Sequence, residues 1–100
     1  MSVIIAAVFQ AKPGKEKELE STLKMLIPKV ESEQGALQYT LHRSVADGGK
    51  FFFYEKYADQ DAVNHHMATP YLKEVLDALG GLIEKEPIIE FYEEIAAIRR

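Results

Sequence analysis

The 100-residue sequence contains no cysteine. It therefore has no disulfide, no thiolate nucleophile and no sulfur-ligated metal centre. The chain is also poor in positive charge, with 12 lysine and arginine residues against 16 acidic residues and a net charge of −4. It carries no basic stripe with interleaved aromatic residues. Composition thus argues against nucleic acid as a partner.

Long hydrophobic runs are missing as well. The apolar start of the chain, from Val3 to Val8, is too short to span a bilayer and follows no basic segment of the kind that begins a secretory signal. We therefore expect a cytoplasmic, soluble protein with no membrane partner. Hydrophobic residues make up 47% and charged residues 28% of the chain, which is typical of a globular protein. Its length predicts one domain over residues 1–100.

The first half of the chain predicts a strand, a helix and a hairpin. VIIAAVFQA is apolar on both alternations, and aliphatic residues at helical spacing follow Pro13 and Gly14. Pro28 removes a helical hydrogen bond and should bend this helix, which we expect Gly35 to end. After an alternating strand, the DGG step at residues 47–49 predicts a tight turn into a partner strand.

The second half predicts two helical segments and a last strand. Asp59 is suited to cap a short helix that ends at Met67, and Thr69 followed by Pro70 predicts the start of another. The run PIIEFYEEIAAI, at residues 87–98, predicts a long strand. The complete order is that of a ferredoxin-like βαββαβ fold, an α+β antiparallel sheet with helices on one face.

The third predicted strand carries large aromatic residues on both of its faces. One face holds Phe51, Phe53, Glu55 and Tyr57, and the other holds Phe52, Tyr54 and Lys56. A sheet that helices cover on one side should be polar on the other. A second copy of the chain is the economical cover, because a two-fold dimer pairs identical patches. An open, ligand-lined face in a monomer is the alternative.

Two of the three histidines, His65 and His66, are adjacent. Neighbouring helical side chains diverge by about 100°, which places His66 on the apolar arc with Val63 and leaves His65 outside it. Histidine pairs that bind metal on a helix are three or four residues apart, so we predict no metal site. His66 is either a catalytic group or a core histidine bonded to a backbone carbonyl, a tyrosine or a glutamate.

Glu55 interrupts the aromatic face between Phe53 and Tyr57. A carboxyl group in such surroundings has a raised pKa and is a candidate general base for a weak carbon or phenol acid. The alternative is a buried glutamate paired with Arg43, with His66 or with a tyrosine across a dimer. The aromatic residues around it indicate core packing more often than a pocket for a planar ligand.

Nucleotide and flavin fingerprints, phosphate-binding glycine loops and nucleophile elbows are all missing from the sequence. If the protein is an enzyme, we therefore predict that it needs no tightly bound cofactor.

Two stretches, ESEQGALQYTLHRS and FFFYEKYADQDAVNHHMATPYLKEV, resemble the antibiotic biosynthesis monooxygenase domain family. The positions that match the family pattern are Glu33, Gly35, Tyr39, Glu55, Tyr57, Asp59, Ala62, Val63, His66, Thr69 and Pro70. The chain departs from that pattern at Tyr57, where tryptophan is common, and at Tyr71, where a histidine often follows the Thr-Pro step.

The resemblance implies a homodimer of the dimeric α+β barrel type. It also implies cofactor-independent oxygenation of a small hydroxyaromatic or quinol substrate. His66 and Glu55 would then be the catalytic residues beside a cavity between sheet and helices. Tyr39, Phe53 and Tyr71 would be the substrate-binding residues.

Two other functions remain open. A cofactor-free isomerase that degrades a phosphorylated signalling dione would use the same histidine and glutamate, with Arg43, Lys50 or Lys73 as the phosphate anchor. A non-catalytic dimer that holds a small apolar ligand is the third hypothesis.

Overall fold

The structure, a computed structural model, describes residues 2–100. Its strands and helices, in chain order, are β1 (Val3–Gln10), α1 (Glu16–Lys24), α2 (Leu26–Glu31), β2 (Ala36–Arg43), β3 (Lys50–Tyr57), α3 (Gln60–Met67), α4 (Pro70–Ala78) and β4 (Ile88–Glu93). The strands form one antiparallel sheet in the order β2-β3-β1-β4. This is the ferredoxin-like fold that the sequence predicts, with the helices on one face of the sheet.

The first predicted helix is interrupted at Met25, between α1 and α2. Pro28 has no N–H to donate to the carbonyl of Lys24, which is the bond that would have carried α1 through this point. The predicted effect of the proline is thus confirmed. A 3₁₀ turn, Leu79–Gly81, ends the α4 segment at the two glycines, also as predicted.

Gly35 has a different role from the one predicted. The helix ends at Glu31, and Ser32 follows it in a right-handed conformation, so no glycine is needed there. A Cβ atom on Gly35 would instead lie 2.5 Å from the Cβ of Ala62. Glycine is required because the backbone before β2 approaches α3 too closely for any side chain.

The core lies between the inner face of the sheet and the helices. Its largest fully buried side chains are Tyr57, Phe51, Phe53, Ile5, Leu19, Leu23, Leu79, Val30 and Val63. Glu55 lies on the same inner face, paired in register with Ile5 of β1 and Tyr39 of β2. The fold therefore places this carboxyl group inside the apolar layer.

The outer face of the sheet carries Ile4, Val8, Phe52 and Tyr54, and no described helix covers it. At one edge of the sheet, all six residues of β4 are exposed. The strand ends at Glu93, which pairs with Val3 at the start of β1. Because β1 offers no partner beyond this point, the predicted strand through residue 98 is too long.

Across residues 2–100, the helices all fall short of the length and apolar character that crossing a membrane requires.

Candidate active site

The short helix α3 carries the central residue of the site, His66. Asp59 begins this helix, and its Oδ1 accepts a hydrogen bond of 2.9 Å from the backbone N–H of Ala62, as predicted. The helix buries Val63 and His66 and exposes His65. The two adjacent histidines therefore differ in surroundings, as the helical geometry predicts.

The backbone of His66 is held at the junction of α3 and α4. Thr69 precedes α4 as predicted, but its hydroxyl makes no cap to that helix. It donates instead to the backbone carbonyl of His66 at 2.8 Å. This bond satisfies a carbonyl at the end of α3 and fixes the position from which the imidazole extends.

Glu33, in the turn between α2 and β2, contacts one nitrogen of the imidazole. The Nδ1 atom of His66 lies 3.2 Å from each carboxylate oxygen of Glu33, and both side chains are buried. The hydroxyl of Tyr71 donates to the same carboxylate. A carboxylate only accepts hydrogen bonds, so Glu33 bonds to Nδ1 when that nitrogen carries a proton.

Glu55 lies on the other side of the imidazole. Its Oε1 atom is 3.9 Å from the Nε2 atom of His66 and accepts a hydrogen bond of 2.7 Å from the hydroxyl of Tyr57. Burial raises the pKa of Glu55 to about 7, the Tyr57 hydrogen bond lowers it, and the nearby Glu33 charge raises it. Both protonation states of Glu55 are therefore populated near neutral pH, which is what proton transfer requires.

A cavity of about 50 Å³ lies between the sheet and the helices α1 to α4. Aliphatic and aromatic side chains form most of its wall. Among the described lining residues, only Glu55, His66 and Tyr39 carry side chains that can exchange a proton. The structure thus brings the two predicted catalytic residues together at one apolar cavity.

The three predicted substrate-binding residues differ in position. Tyr39 and Phe53 both line the cavity, and their rings stack with centroids 4.6 Å apart at 30°. The Tyr39 ring also lies 5.6 Å from the imidazole of His66. Tyr71 is not in the cavity wall and reaches His66 only through Glu33.

The tyrosines around the site keep their protons at neutral pH. Burial, with the charges of Glu55 and Glu33, raises the pKa of Tyr39 far above its ordinary value. Burial and the bond to Glu33 raise the pKa of Tyr71 to about 12. These hydroxyls can therefore donate hydrogen bonds, but they cannot act as bases there.

A larger open cleft of about 430 Å³ runs along β2 beside α1 and α2. Its wall includes Ile27, Leu41, Phe51 and Tyr39. Tyr39 alone among the described residues lines both this cleft and the inner cavity. Tyr39 therefore lies where the cleft meets the cavity that holds Glu55 and His66.

The predicted phosphate anchors lie away from the cavity. Arg43 pairs with Glu20 and stands over the ring of Phe51, so of the three partners considered for Glu55 it is not the one found. Lys73 pairs with Asp77 at 3.1 Å on the surface, and Lys50 is exposed. No lysine or arginine belongs to the described cavity wall.

Residues 2–100 hold no cluster of three or more histidine, aspartate or glutamate side chains placed to bind a metal ion.

Glu33 and Tyr57 are site residues that reasoning from single residues did not select. Both belong to the matched family pattern, which is the signal that could have found them. Their roles depend on contacts that the fold makes, with Glu33 reaching His66 and Tyr57 reaching Glu55.

The sequence model of the antibiotic biosynthesis monooxygenase family matches residues 2–78, a span that includes Glu33, Glu55 and His66. The chain belongs to this family.

Individual relatives in the family are distant. An uncharacterized Synechocystis protein is 25% identical over 91 residues, which are 91% of this chain and 62% of that protein, so the chain spans under two thirds of that relative. A Mycobacterium tuberculosis protein named as a candidate monooxygenase is 28% identical over 83 residues, covering 83% of this chain and 81% of the relative.

Solved structures support the same fold. The structure of the same M. tuberculosis protein superimposes with a TM-score of 0.92 at 21% identity, over 99% of this chain and 100% of that one. A Caulobacter crescentus protein, described as a candidate antibiotic biosynthesis monooxygenase, has a TM-score of 0.88 at 32% identity, over 95% of this chain and 91% of that one. Together with the family match, these names support monooxygenase activity at the level of the family.

Proposed function

We propose that this protein is a cofactor-independent monooxygenase of small hydroxyaromatic or quinol compounds. One observation carries the proposal: the imidazole of His66 stands between two buried carboxyl groups at the wall of an apolar cavity. Family membership supplies the reaction type, and the site supplies a base and an acid suited to it.

The base in this mechanism is the Nε2 atom of His66. It accepts the hydroxyl proton of a phenol, and the electron-rich phenolate then reacts with O₂ at a ring carbon. Glu55, 3.9 Å from Nε2, gives a proton to the resulting peroxide and takes the ring C–H proton as the O–O bond breaks. The hydroxide that is released takes the proton held by His66 and leaves as water. The balance is phenol plus O₂ giving quinone plus water, so the substrate supplies all the electrons and no external reductant is consumed.

The apolar wall protects this chemistry from water. Phe53 and Tyr39 supply aromatic faces against which a planar substrate would stack. A cavity of about 50 Å³ is too small for an aromatic ring, since benzene occupies a cavity of roughly 150 Å³. In this proposal, movement of Tyr39 joins the cavity to the neighbouring cleft and makes room for the ring.

Aromatic stacking on Phe53 holds Tyr39 in its present position. Its ring stacks on Phe53, lies 5.6 Å from the imidazole of His66 and packs against the core. An aromatic pair contributes about 0.5–1.5 kcal/mol beyond the area it buries. A substrate ring that replaces Tyr39 on Phe53 recovers this stacking energy.

A homodimer completes the proposal. On the outer sheet face, Val8, Phe52 and Tyr54 are half-buried, and the exposed strand β4 continues the surface through Ile88 and Tyr92. A second copy that packs sheet against sheet would bury both. In sedimentation experiments, we expect a dimer for the parent and a monomer for Phe52→Glu, with Met25→Glu on the helical side still dimeric. A monomeric parent would contradict this.

The two other hypotheses have less support from the site. A phosphorylated dione needs a cation, and the described cavity wall has no basic side chain. Lys24 and Arg43 line the neighbouring cleft, where Arg43 is paired with Glu20. A non-catalytic ligand-binding role would need neither Glu33 nor Glu55 beside His66. Burying ionisable groups that have no role is unfavourable, which counts against this hypothesis.

Oxygen uptake is the direct test. Metal-depleted and flavin-free protein is supplied with a panel of hydroquinones and naphthols, and O₂ consumption and quinone formation are recorded together. We expect equal amounts of O₂ consumed and quinone formed. No uptake across the panel would overturn the oxygenase proposal. Proton exchange without O₂ uptake, in an anaerobic sample, would favour the isomerase instead.

A further inference from the structure

We infer that Glu33, held by Tyr71, is a positioning residue that selects the ring form of His66 in which Nδ1 carries the proton and Nε2 faces the cavity unprotonated. The catalytic consequence rests on the proposed function, but the ring form itself does not.

Glu33 and His66 are in direct contact. Both carboxylate oxygens lie 3.2 Å from Nδ1, and the two side chains are each 3% exposed. Water therefore has little access to compete for this bond, and a buried ion-assisted hydrogen bond is stronger than a solvated one.

Tyr71 in turn holds the carboxylate of Glu33. Tyr71, in the first turn of α4, donates its hydroxyl to Oε2 of the same carboxylate. Glu33 itself lies before β2, so the carboxylate joins the segment ahead of the sheet to the helix that follows His66. Two donors from different elements restrict how the carboxylate can rotate.

Glu33 and Glu55 compete for the single proton of a neutral His66 ring. Side chains reach the imidazole from four elements: Glu33 before β2, Tyr39 from β2, Glu55 and Tyr57 from β3, and Tyr71 through Glu33. Among these side chains, the two glutamates supply the carboxylate oxygens that lie within 4 Å of a ring nitrogen. Glu33 is closer, at 3.2 Å against 3.9 Å for Glu55, and Oε1 of Glu55 already accepts from Tyr57.

The position of the ring proton decides which nitrogen of His66 can act as the base. With the proton held at Nδ1, the free electron pair of Nε2 faces Glu55 and the cavity. Without Glu33, the proton would move to Nε2 and be drawn toward Glu55, and the base would then be blocked. Glu33 thus acts on the reaction through His66, although it does not line the cavity.

Nitrogen NMR of ¹⁵N-histidine-labelled protein tests the ring form without any substrate. We expect the parent to show His66 protonated at Nδ1 with Nε2 unprotonated. Glu33→Gln should shift a large fraction to the Nε2-protonated form, because the amide can also donate to Nδ1. Glu31→Gln, with the same loss of charge on the exposed end of α2, should leave the parent pattern. An Nε2-protonated parent, or an unchanged ring form in Glu33→Gln, would overturn the inference.

Kinetics test the catalytic consequence. We expect Glu33→Gln to lower kcat by roughly 100-fold or more while KM stays within about twofold, because the base is lost and the cavity wall is unchanged. Glu33→Asp should recover part of kcat and of the parent ring form. Unchanged kcat in a Glu33→Gln variant with an altered ring form would overturn the positioning role.

The NMR result keeps this inference separate from the proposed function. If the parent turns over no substrate, the oxygenase proposal fails, while the ring form of His66 still decides the role of Glu33. If Glu33→Gln does not fold, Tyr71→Phe replaces it, and this variant should show a smaller shift toward the Nε2-protonated form. No shift in Tyr71→Phe would then count against the supporting role of Tyr71.

Discussion

The Nδ1 atom of His66 lies 3.2 Å from both carboxylate oxygens of Glu33, a residue 33 positions earlier in the chain. The fold brings the two together by packing α3 against the segment that precedes β2. Gly35 permits this close approach, because a side chain there would collide with Ala62. The contact between Glu33 and His66 and the packing of α3 therefore depend on the same short segment.

Replacing Glu55 should change how stability depends on pH. Its pKa is about 7 in the fold and near 4.5 when exposed, so the folded state holds a proton that the unfolded state has lost between these values. Stability should fall as pH rises through this window, by up to about 3 kcal/mol. Glu55→Gln mimics the protonated form and keeps an acceptor for Tyr57. It should therefore remove the loss of stability that Glu55 causes as pH rises.

Urea unfolding at pH 5 and pH 8 measures the effect. We expect Glu55→Gln to be more stable than the parent at pH 8 and close to it at pH 5. The surface variant Glu86→Gln serves as a charge-matched control and should follow the parent. Parallel pH profiles for the parent and Glu55→Gln would show that burial does not perturb this carboxyl group.

Removing the Tyr39 side chain should open the path from the cleft to His66. Tyr39→Ala is expected to raise the association rate constant of 2-naphthol by about tenfold, since ring rotation no longer precedes entry. Leu41→Ala enlarges the cleft without touching the cavity and should leave this rate constant within about twofold. Stopped-flow fluorescence measures both, and equal rate constants for Tyr39→Ala and the parent would contradict the partition.

A methyl group at position 35 should destabilise the fold. Gly35→Ala places a Cβ 2.5 Å from that of Ala62, and such overpacking costs about 1–3 kcal/mol. Adding Ala62→Gly should restore part of the loss, because it removes the colliding atom. Gly80→Ala, where a Cβ meets nothing within 4 Å, should change the free energy of unfolding by less than about 0.5 kcal/mol. Additive effects of the first two substitutions in thermal unfolding would rule out the collision.

Local sequence signals predicted most of the fold. Asp59 and the Thr69-Pro70 step begin their helices where predicted, and Pro28 interrupts the first helix, because each acts within one turn of its own position. The end of β4 was mispredicted because strand length depends on the partner β1, which residues 87–98 do not encode.

The site was predicted only in part, again because sequence signals act within a single element. Glu55 interrupts an alternating apolar pattern and His66 lies on an apolar helical arc, so each is visible within its own element. The contact of His66 with Glu33 and the position of Tyr39 between cleft and cavity both need the tertiary structure. No spacing rule connects residues 33 and 66 without it.

The most direct test of the proposed function compares the two adjacent histidines. O₂ consumption and quinone formation are measured together for the parent, His66→Gln and His65→Gln, on a substrate that the parent oxidises. We expect His66→Gln to lose about 10²–10⁴-fold in kcat, because the base is removed, and exposed His65→Gln to match the parent. Full activity in folded His66→Gln would contradict the assignment of His66 as the base.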